Sequence, residues 1–307
     1  MMQTEWIHAM GTTIRLSIRH TSATALLTEA KKRIHDWEQR FSANRADSDL
    51  MQINQQAGKQ PIQVESELFN LIEHGYHVTI SSQLKMNILI GPLVKLWRIG
   101  FNDARQPSSS EIATALKRIN PKDLQLNPQK QTVYLQQPGM ELDLGAIAKG
   151  YFADELKAFF MSQGVKTGII DFGGNVVTIG TPLKAKYWHV GIQHPFETRG
   201  TPIETLRVVH QAVVTSGIYE RCFTSGDSVY HHILDAQTGY PVENDIASVT
   251  IVSDHALDGE IWTTICCFGY AAQNIALLEQ LDGIEGVIVR KDGEVLATQK
   301  VNRLPKN

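Results

Sequence analysis

The stretch Leu142-Asp143-Leu144-Gly145-Ala146-Ile147-Ala148-Lys149-Gly150, followed by Thr167-Gly168-Ile169-Ile170-Asp171 and Gly173-Gly174-Asn175, decides how this chain is read. Met140 to Leu144 alternates as a strand does, and Gly145 turns the chain. Ala146 to Gln163 carries helical spacing and stops at Gly164, and Thr167 to Asp171 is the next strand, broken at the paired glycines. The result is a strand–turn–helix–strand unit at the middle of the chain.

Before this unit, Thr12 to Ile18 reads as a strand. Thr24 to Arg40 reads as a helix with Ala25, Leu26, Ala30, Ile34 and Trp37 on its apolar side. A short helical pattern surrounds Leu50 and Ile53, Ser66 to Ser81 is a second amphipathic helix, and Glu111 to Ile119 a shorter one that ends before Pro121. After it, strands are expected over Trp188 to Gln193, Leu206 to Ser216, Val229 to Asp235 and Ala247 to Val252. Helices follow over Asp258 to Gly269 and Ala271 to Gln280, then a terminal hairpin of Gly286 to Arg290 with Glu294 to Thr298. Such a run of strands predicts an α+β fold rather than a doubly wound parallel sheet.

Composition narrows the function classes. At 307 residues and 42% hydrophobic, the chain can bury a full core as one large domain or two small ones. Lys and Arg number 29 against 32 Asp and Glu, a net charge of −3, and basic residues are not gathered into a patch, so no nucleic-acid partner is expected. The three cysteines, Cys222, Cys266 and Cys267, form no CxxC pair and no disulfide framework, which fits a reducing compartment. No window approaches about 18 consecutive apolar residues, and Met1 to Met10 has no secretory apolar core. A cytoplasmic protein without a membrane span is expected.

Four segments carry residue types suited to chemistry. Gly173-Gly174-Asn175, at a strand end, lets backbone N–H groups approach an anion, or is an ordinary tight turn. The start of the helix after Gly145 offers free amides and Lys149 to a phosphate, or is a plain helix start with a solvated lysine. It is neither a Walker A loop nor a Gly-x-Gly-x-x-Gly turn. In Tyr230-His231-His232-Ile233-Leu234-Asp235, strand alternation sends the two histidines to opposite faces, so one can serve a site while the other is buried and satisfied. Asp258-Gly259-Glu260-Ile261-Trp262-Thr263-Thr264 provides hard oxygen ligands for Mg²⁺; alternatively, Asp258 is an N-cap and Glu260 a first-turn acid. Glu260 and Thr264 share a helix face, whereas Asp258 and Thr263, five apart, converge only across a bulge or a helix start. No serine-hydrolase elbow and no His-x-x-x-His pair is present.

Taken in order, these segments resemble the ApbE family of FAD:protein FMN transferases. The resemblance is carried by Met10-Gly11-Thr12, Phe41-Ser42 with Ser48-Asp49-Leu50, and Gly91-Pro92-Leu93 with Trp97. It continues through Leu142 to Gly150, Gly173-Gly174-Asn175, Thr215-Ser216-Gly217, and His232-Ile233-Leu234-Asp235 with Thr238-Gly239 and Pro241. It implies a T-fold-like architecture of mixed and antiparallel sheets with flanking helices. Residues 1–307 would form a single catalytic domain, or two packed sub-lobes meeting at a flavin cleft.

The resemblance also implies a reaction: with Mg²⁺, FMN passes from FAD to a Thr or Ser hydroxyl of an acceptor flavoprotein, and AMP leaves. Carried over residue by residue, His232 is the base and Asp258 with Thr263 or Thr264 binds Mg²⁺, a main-chain carbonyl near Ala146 completing the metal site. Met10, Gly11, Thr12, Ser42, Asp143, Lys149, Gly173, Gly174, Asn175, Ser216 and Thr238 would line the FAD cleft. The chain departs from the family's Asp-x-x-x-Thr spacing, which leaves Asp258/Thr263, favoured for its Asp-Gly start, against Glu260/Thr264. It also has Ala236 where proline commonly follows the aspartate, and lacks a lipoprotein leader, so an acceptor on the cytoplasmic side is expected. The rival readings are an Mg²⁺-dependent FAD pyrophosphatase and a non-catalytic FAD carrier.

Overall fold

Apolar alternation across Gln3–Ala9 (β1) and Thr12–Ile18 (β2) buries Ile7, Ala9, Ile14, Leu16 and Ile18 on one side of a hairpin. Its turn, Met10-Gly11, has φ of 54° and 69°, the left-handed pair that matches strand twist. This computed structural model describes residues 1–226 and 228–305. Helices α1 (Ala23–Phe41), α2 (Asp49–Gln55), α3 (Ser66–Ser81), α4 (Gly91–Trp97) and α5 (Ser109–Leu116) follow, with β3 (Ile62–Gln63) before α3. Strands β4 (Leu124–Asn127) and β5 (Thr132–Leu135) lead to α6 (Ala148–Ser162). Then come β6 (Gly168–Asp171), β7 (Asn175–Ile179), β8 (Trp188–Gln193), β9 (Pro202–Val208) and β10 (Ala212–Gly217). The chain closes with β11 (Cys222–Ser225), β12 (Ser228–His231), β13 (Ile246–Ser253), α7 (Ala256–Cys266), α8 (Ala271–Leu278), β14 (Glu285–Arg290) and β15 (Val295–Ala297).

The chain divides into two compact units, each assembled from separated segments. The first comprises Met1–Asp36, Lys149–Gly217 and Asn244–Asn307. It is built on a wholly antiparallel eight-stranded sheet, in the order β1-β2-β6-β7-β10-β13-β14-β15. Every residue of β13 is buried, because both faces of that strand are covered. On one face α7 lies against β10, with Gly259 on Val214. On the other, Val190, Ile192, Leu206 and Val208 of the β8–β9 hairpin pack with Val213, Val252 and Val287. The expected α+β class with antiparallel sheets and helices is what forms.

One expected strand, Leu206 to Ser216, is two. The chain breaks at His210, whose φ is +58°, so that β9 stays in its hairpin while β10 enters the main sheet. No Gly or Pro marks that turn, and a run of β-formers across it hides the break.

The second unit, Trp37–Ala148 and Ile218–Glu243, holds α2 to α5, the three-stranded sheet β3-β5-β4 and the β11–β12 hairpin. Here the reading of Met140 to Leu144 as a strand is corrected: the segment joins no sheet. Its alternation still buries Met140, Leu142 and Leu144. The side chain of Asn54 takes the place of a neighbouring strand. Its Oδ1 accepts from Leu142 N–H at 2.8 Å and its Nδ2 donates to Leu142 C=O at 3.0 Å, while Asp143 N–H donates to Ile88 C=O at 2.8 Å. Asn54→Ala leaves a buried amide and carbonyl unmatched, so a loss of about 2–4 kcal/mol of unfolding free energy is expected, measured by urea unfolding. A loss below about 0.5 kcal/mol, the range of ordinary surface changes, would show that water takes over both groups.

Among the described residues, no helix is long and apolar enough to cross a membrane.

Candidate functional site

Strand register in the first unit brings three separated motifs to one end of the main sheet. Ala9 pairs with Thr12, Arg15 with Asp171, and Val214 with Asn175, so Met10-Gly11-Thr12, Gly173-Gly174-Asn175 and Ser216 all stand on that rim. Gly173 and Gly174 have φ of +71° and +115°, a region that side chains rarely enter. A Cβ on Gly173 would also meet Thr12 Oγ1 at 2.0 Å, so the two turns touch where only glycine fits. Asp171 Oδ1 accepts the Gly173 N–H at 2.9 Å and holds the turn closed.

Behind this rim lies a buried carboxylate that joins three segments. Glu260 on α7 has a side chain only 5% exposed. Its Oε1 accepts from Lys149 Nζ at 2.8 Å and from Asn175 Nδ2 at 2.7 Å, and its Oε2 accepts from Gly150 N–H at 2.8 Å. Below it, Thr263 Oγ1 donates to Glu260 C=O at 3.0 Å and accepts from Ser216 Oγ at 3.0 Å. Glu260 thus sits at the first turn of α6, where amides and the helix dipole favour negative charge. Gly150 permits this approach: a Cβ there would stand 2.6 Å from Ala256 C=O.

Three expectations change here. Lys149 is not a plain solvated lysine: its side chain is 30% exposed and ion-paired to Glu260, and Gly150 N–H is hydrogen-bonded to the same carboxylate. Asp258 and Thr263 do not converge, because α7 runs from Ala256 to Cys266 without a bulge. Five residues at about 100° each turn them about 140° apart. Asp258 is not the N-cap either; that position is His255, and Asp258 lies in the first turn, half-buried. Glu260 and Thr264, four apart, do share a face. Among the described residues, no cluster of three or more His, Cys, Asp or Glu is arranged to hold a metal.

The second unit holds the remaining expected residues. His231 is buried: its Nε2–H donates to Val242 C=O at 2.9 Å, and its Nδ1 accepts from Ile233 N–H at 3.3 Å. Both ring nitrogens are engaged in one neutral tautomer, which makes His231 the structural member of the pair. His232 is half-buried, and its Nδ1 lies 3.2 Å from Arg221 C=O. A carbonyl only accepts, so Nδ1 carries the proton in that bond and a neutral ring has its lone pair on Nε2.

Asp143 Oδ1 accepts from Gly145 N–H at 2.8 Å. Burial pushes its carboxyl above the usual carboxylate range, against the pull of that amide and of Arg221 and Lys95. Ala146 lies exposed in the turn that follows. Ser42 Oγ accepts from Asn44 N–H at 3.1 Å, and Thr238 Oγ1 from Tyr240 N–H at 3.3 Å. Despite Ala236, the Asp235–Gly239 turn is closed by Gly239 N–H to Asp235 C=O and by Gln237 N–H to Asp235 Oδ1, both at 2.7 Å.

Sequence reading missed Glu260 as the hub. Its acidic character and its spacing to Thr264 were visible, but its donors come from residues 85 and 110 positions away.

With this geometry in hand, likeness to known proteins is informative. The sequence profile of the ApbE family matches residues 10–297. A Klebsiella pneumoniae protein named FAD:protein FMN transferase is 39% identical over 288 residues, covering 94% of this chain and 89% of its own length. A Treponema pallidum protein of the same name is 34% identical over 288 residues, covering 89% and 79%. The crystal structure of the ApbE protein of Thermotoga maritima superposes with a TM-score of 0.90 at 26% identity, covering 97% of each chain. The flavin transferase ApbE of Vibrio cholerae, at 22% identity, shares the fold with a TM-score of 0.82.

Proposed function

Because this chain belongs to the ApbE family, we propose that it acts as its named relatives do, moving FMN from FAD onto a hydroxyl of a protein acceptor. The observation that carries this reading is 39% identity to an FAD:protein FMN transferase along 94% of the chain. In the reaction, the acceptor oxygen attacks the phosphorus on the FMN side of the diphosphate. A new P–O bond to the protein forms, the P–O bond to the AMP phosphate breaks, and AMP leaves with the bridging oxygen. The hydroxyl proton goes to a base. Such transfers are governed by positioning and by neutralising charge on the phosphates.

The residues divide these tasks. The amide-rich turns Met10-Gly11-Thr12 and Gly173-Gly174-Asn175 line the dinucleotide. His232, with Nδ1–H on a carbonyl, offers Nε2 as the base. Mg²⁺ is the cation this donor set fits, being a hard ion that takes carboxylate and hydroxyl oxygens and fills its remaining positions with phosphates and water. Glu260 and Thr264, which share a face of α7, are the pair that would hold it, the ion competing with the Lys149 ammonium for Glu260 Oε1. When bound, the ion supplies neutralisation of the diphosphate. Asp258 faces another side of α7, and the Thr263 hydroxyl is engaged with Ser216 and Glu260.

The test is incubation with FAD, MgCl₂ and a flavoprotein acceptor, followed by in-gel flavin fluorescence after denaturation. Labelling is expected, with a fall of about a hundredfold or more when EDTA removes the cation, restored by Mg²⁺. Release of FMN and AMP without labelling would instead identify a pyrophosphatase, and FAD bound but unaltered a carrier.

A further inference from the structure

Helix α6 carries three residues on one stripe, Gly150, Asp154 and Lys157, at spacings of four and three. All three face the junction between β13 and α7. Gly150 lets Ala256 C=O come close. Asp154 accepts Ala256 N–H at 2.8 Å on Oδ1 and Leu257 N–H at 2.9 Å on Oδ2. Lys157, 8% exposed, donates from Nζ to Asp254 C=O and to His210 C=O, each at 3.0 Å. An acid meets the amides and a base meets the carbonyls, so the junction is gripped at both polarities.

The grip replaces a cap that α7 lacks. Its N-cap residue, His255, makes no side-chain cap bond, and the first two helical amides would otherwise be orphaned. Asp154 supplies both partners from another helix. Burial pushes the Asp154 carboxyl above the usual range, although the two amides, His255 and Lys157 draw it down. The two amide hydrogen bonds fix the start of α7 against the carboxylate, whose own helix is packed on the same junction.

What is placed is Glu260. It lies four residues after Ala256 and three after Leu257, about one helical turn beyond the amides that Asp154 holds. We propose that Asp154 is a positioning residue for flavin transfer: by holding the first two amides of α7 it sets the rotation and height of Glu260, and through it Lys149 and Asn175. This rests on the reading that Glu260 belongs to the working site.

The experiment uses the full chain and compares wild type with Asp154→Ala and Asp154→Asn. Each is assayed for kcat and FAD KM well below its melting temperature, and by amide hydrogen exchange at residues 256 and 257. Asp154→Ala is expected to lower kcat by about ten- to a hundredfold, as a displacement of the order of 1 Å does, with FAD KM changed less than about threefold. Exchange at the two amides should rise by about tenfold or more, the loss of a bond of about 1.4 kcal/mol. Asp154→Asn, whose Oδ1 still accepts one amide, should fall between the two. Should the alanine variant fail to fold, the asparagine variant carries the same comparison.

A kcat within twofold of wild type, alongside faster exchange or a lower melting temperature, overturns the proposal and leaves Asp154 a structural cap. The two failures are separable. If Glu260→Gln retains full activity, the reading of Glu260 is wrong; if that variant is inactive while Asp154→Ala turns over normally, only the Asp154 proposal falls.

Discussion

Glu260→Gln is expected to lower flavin transfer by about a hundred- to a thousandfold, the range seen when one preorganised charge-handling group is removed. The substitution keeps the shape and changes the hydrogen-bond sense. Glu260 receives three donors, Lys149 Nζ, Asn175 Nδ2 and Gly150 N–H, and donates none through its side chain. A glutamine turns one acceptor oxygen into an NH₂ group, so whichever way it is oriented a donor faces a donor. The Lys149 ammonium also loses its counter-charge while 30% exposed, so water compensates only part of it. A stability loss of about 2 kcal/mol is expected from the buried donors left unmatched. Labelling of an acceptor, measured beside a urea melt on the same preparation, separates the two effects. Transfer at the wild-type rate in a folded Glu260→Gln protein would remove this carboxylate from the chemistry.

His232→Ala is expected to reduce transfer by about a hundred- to ten-thousandfold, the usual contribution of a general base, while the melting temperature barely moves. The ring is half-buried beside a hairpin, so its removal leaves little cavity. His231→Ala should show the reverse pattern. That ring is 6% exposed and links Val242 C=O to Ile233 N–H, so its loss strands two backbone groups and destabilises by about 1–3 kcal/mol. Steady-state labelling rates and thermal melts of the two variants, side by side, check the assignment. Equal loss of activity per folded molecule in both would mean that neither ring is specifically the base.

Local pattern made much of this molecule legible. The helix over Ser66–Ser81 and the strands Thr12–Ile18 and Trp188–Gln193 stand where their periodicity puts them, because burial of one face is imposed residue by residue along an element. The glycine turn at 173–174 was legible for a similar reason: few residues other than glycine enter that backbone region. Short motifs in a fixed order were enough to identify the family.

Other features depend on partners that are remote along the chain. Asn54 stands in for a strand beside Leu142 from 88 positions away, and nothing near residue 142 announces it. The break at His210 arises because β9 and β10 join different sheets, a choice made by packing on Val213 and Val252 rather than by a turn signal. Asp258 and Glu260 looked alike as acidic residues early in a helix. Their roles separated once α7 was laid on β10 and β13 without a bulge, which turned Glu260 inward to Lys149, Gly150 and Asn175 and left Asp258 on another side. Periodicity tells a side chain which face of its own element it occupies; which donors await it there depends on what that face is packed against.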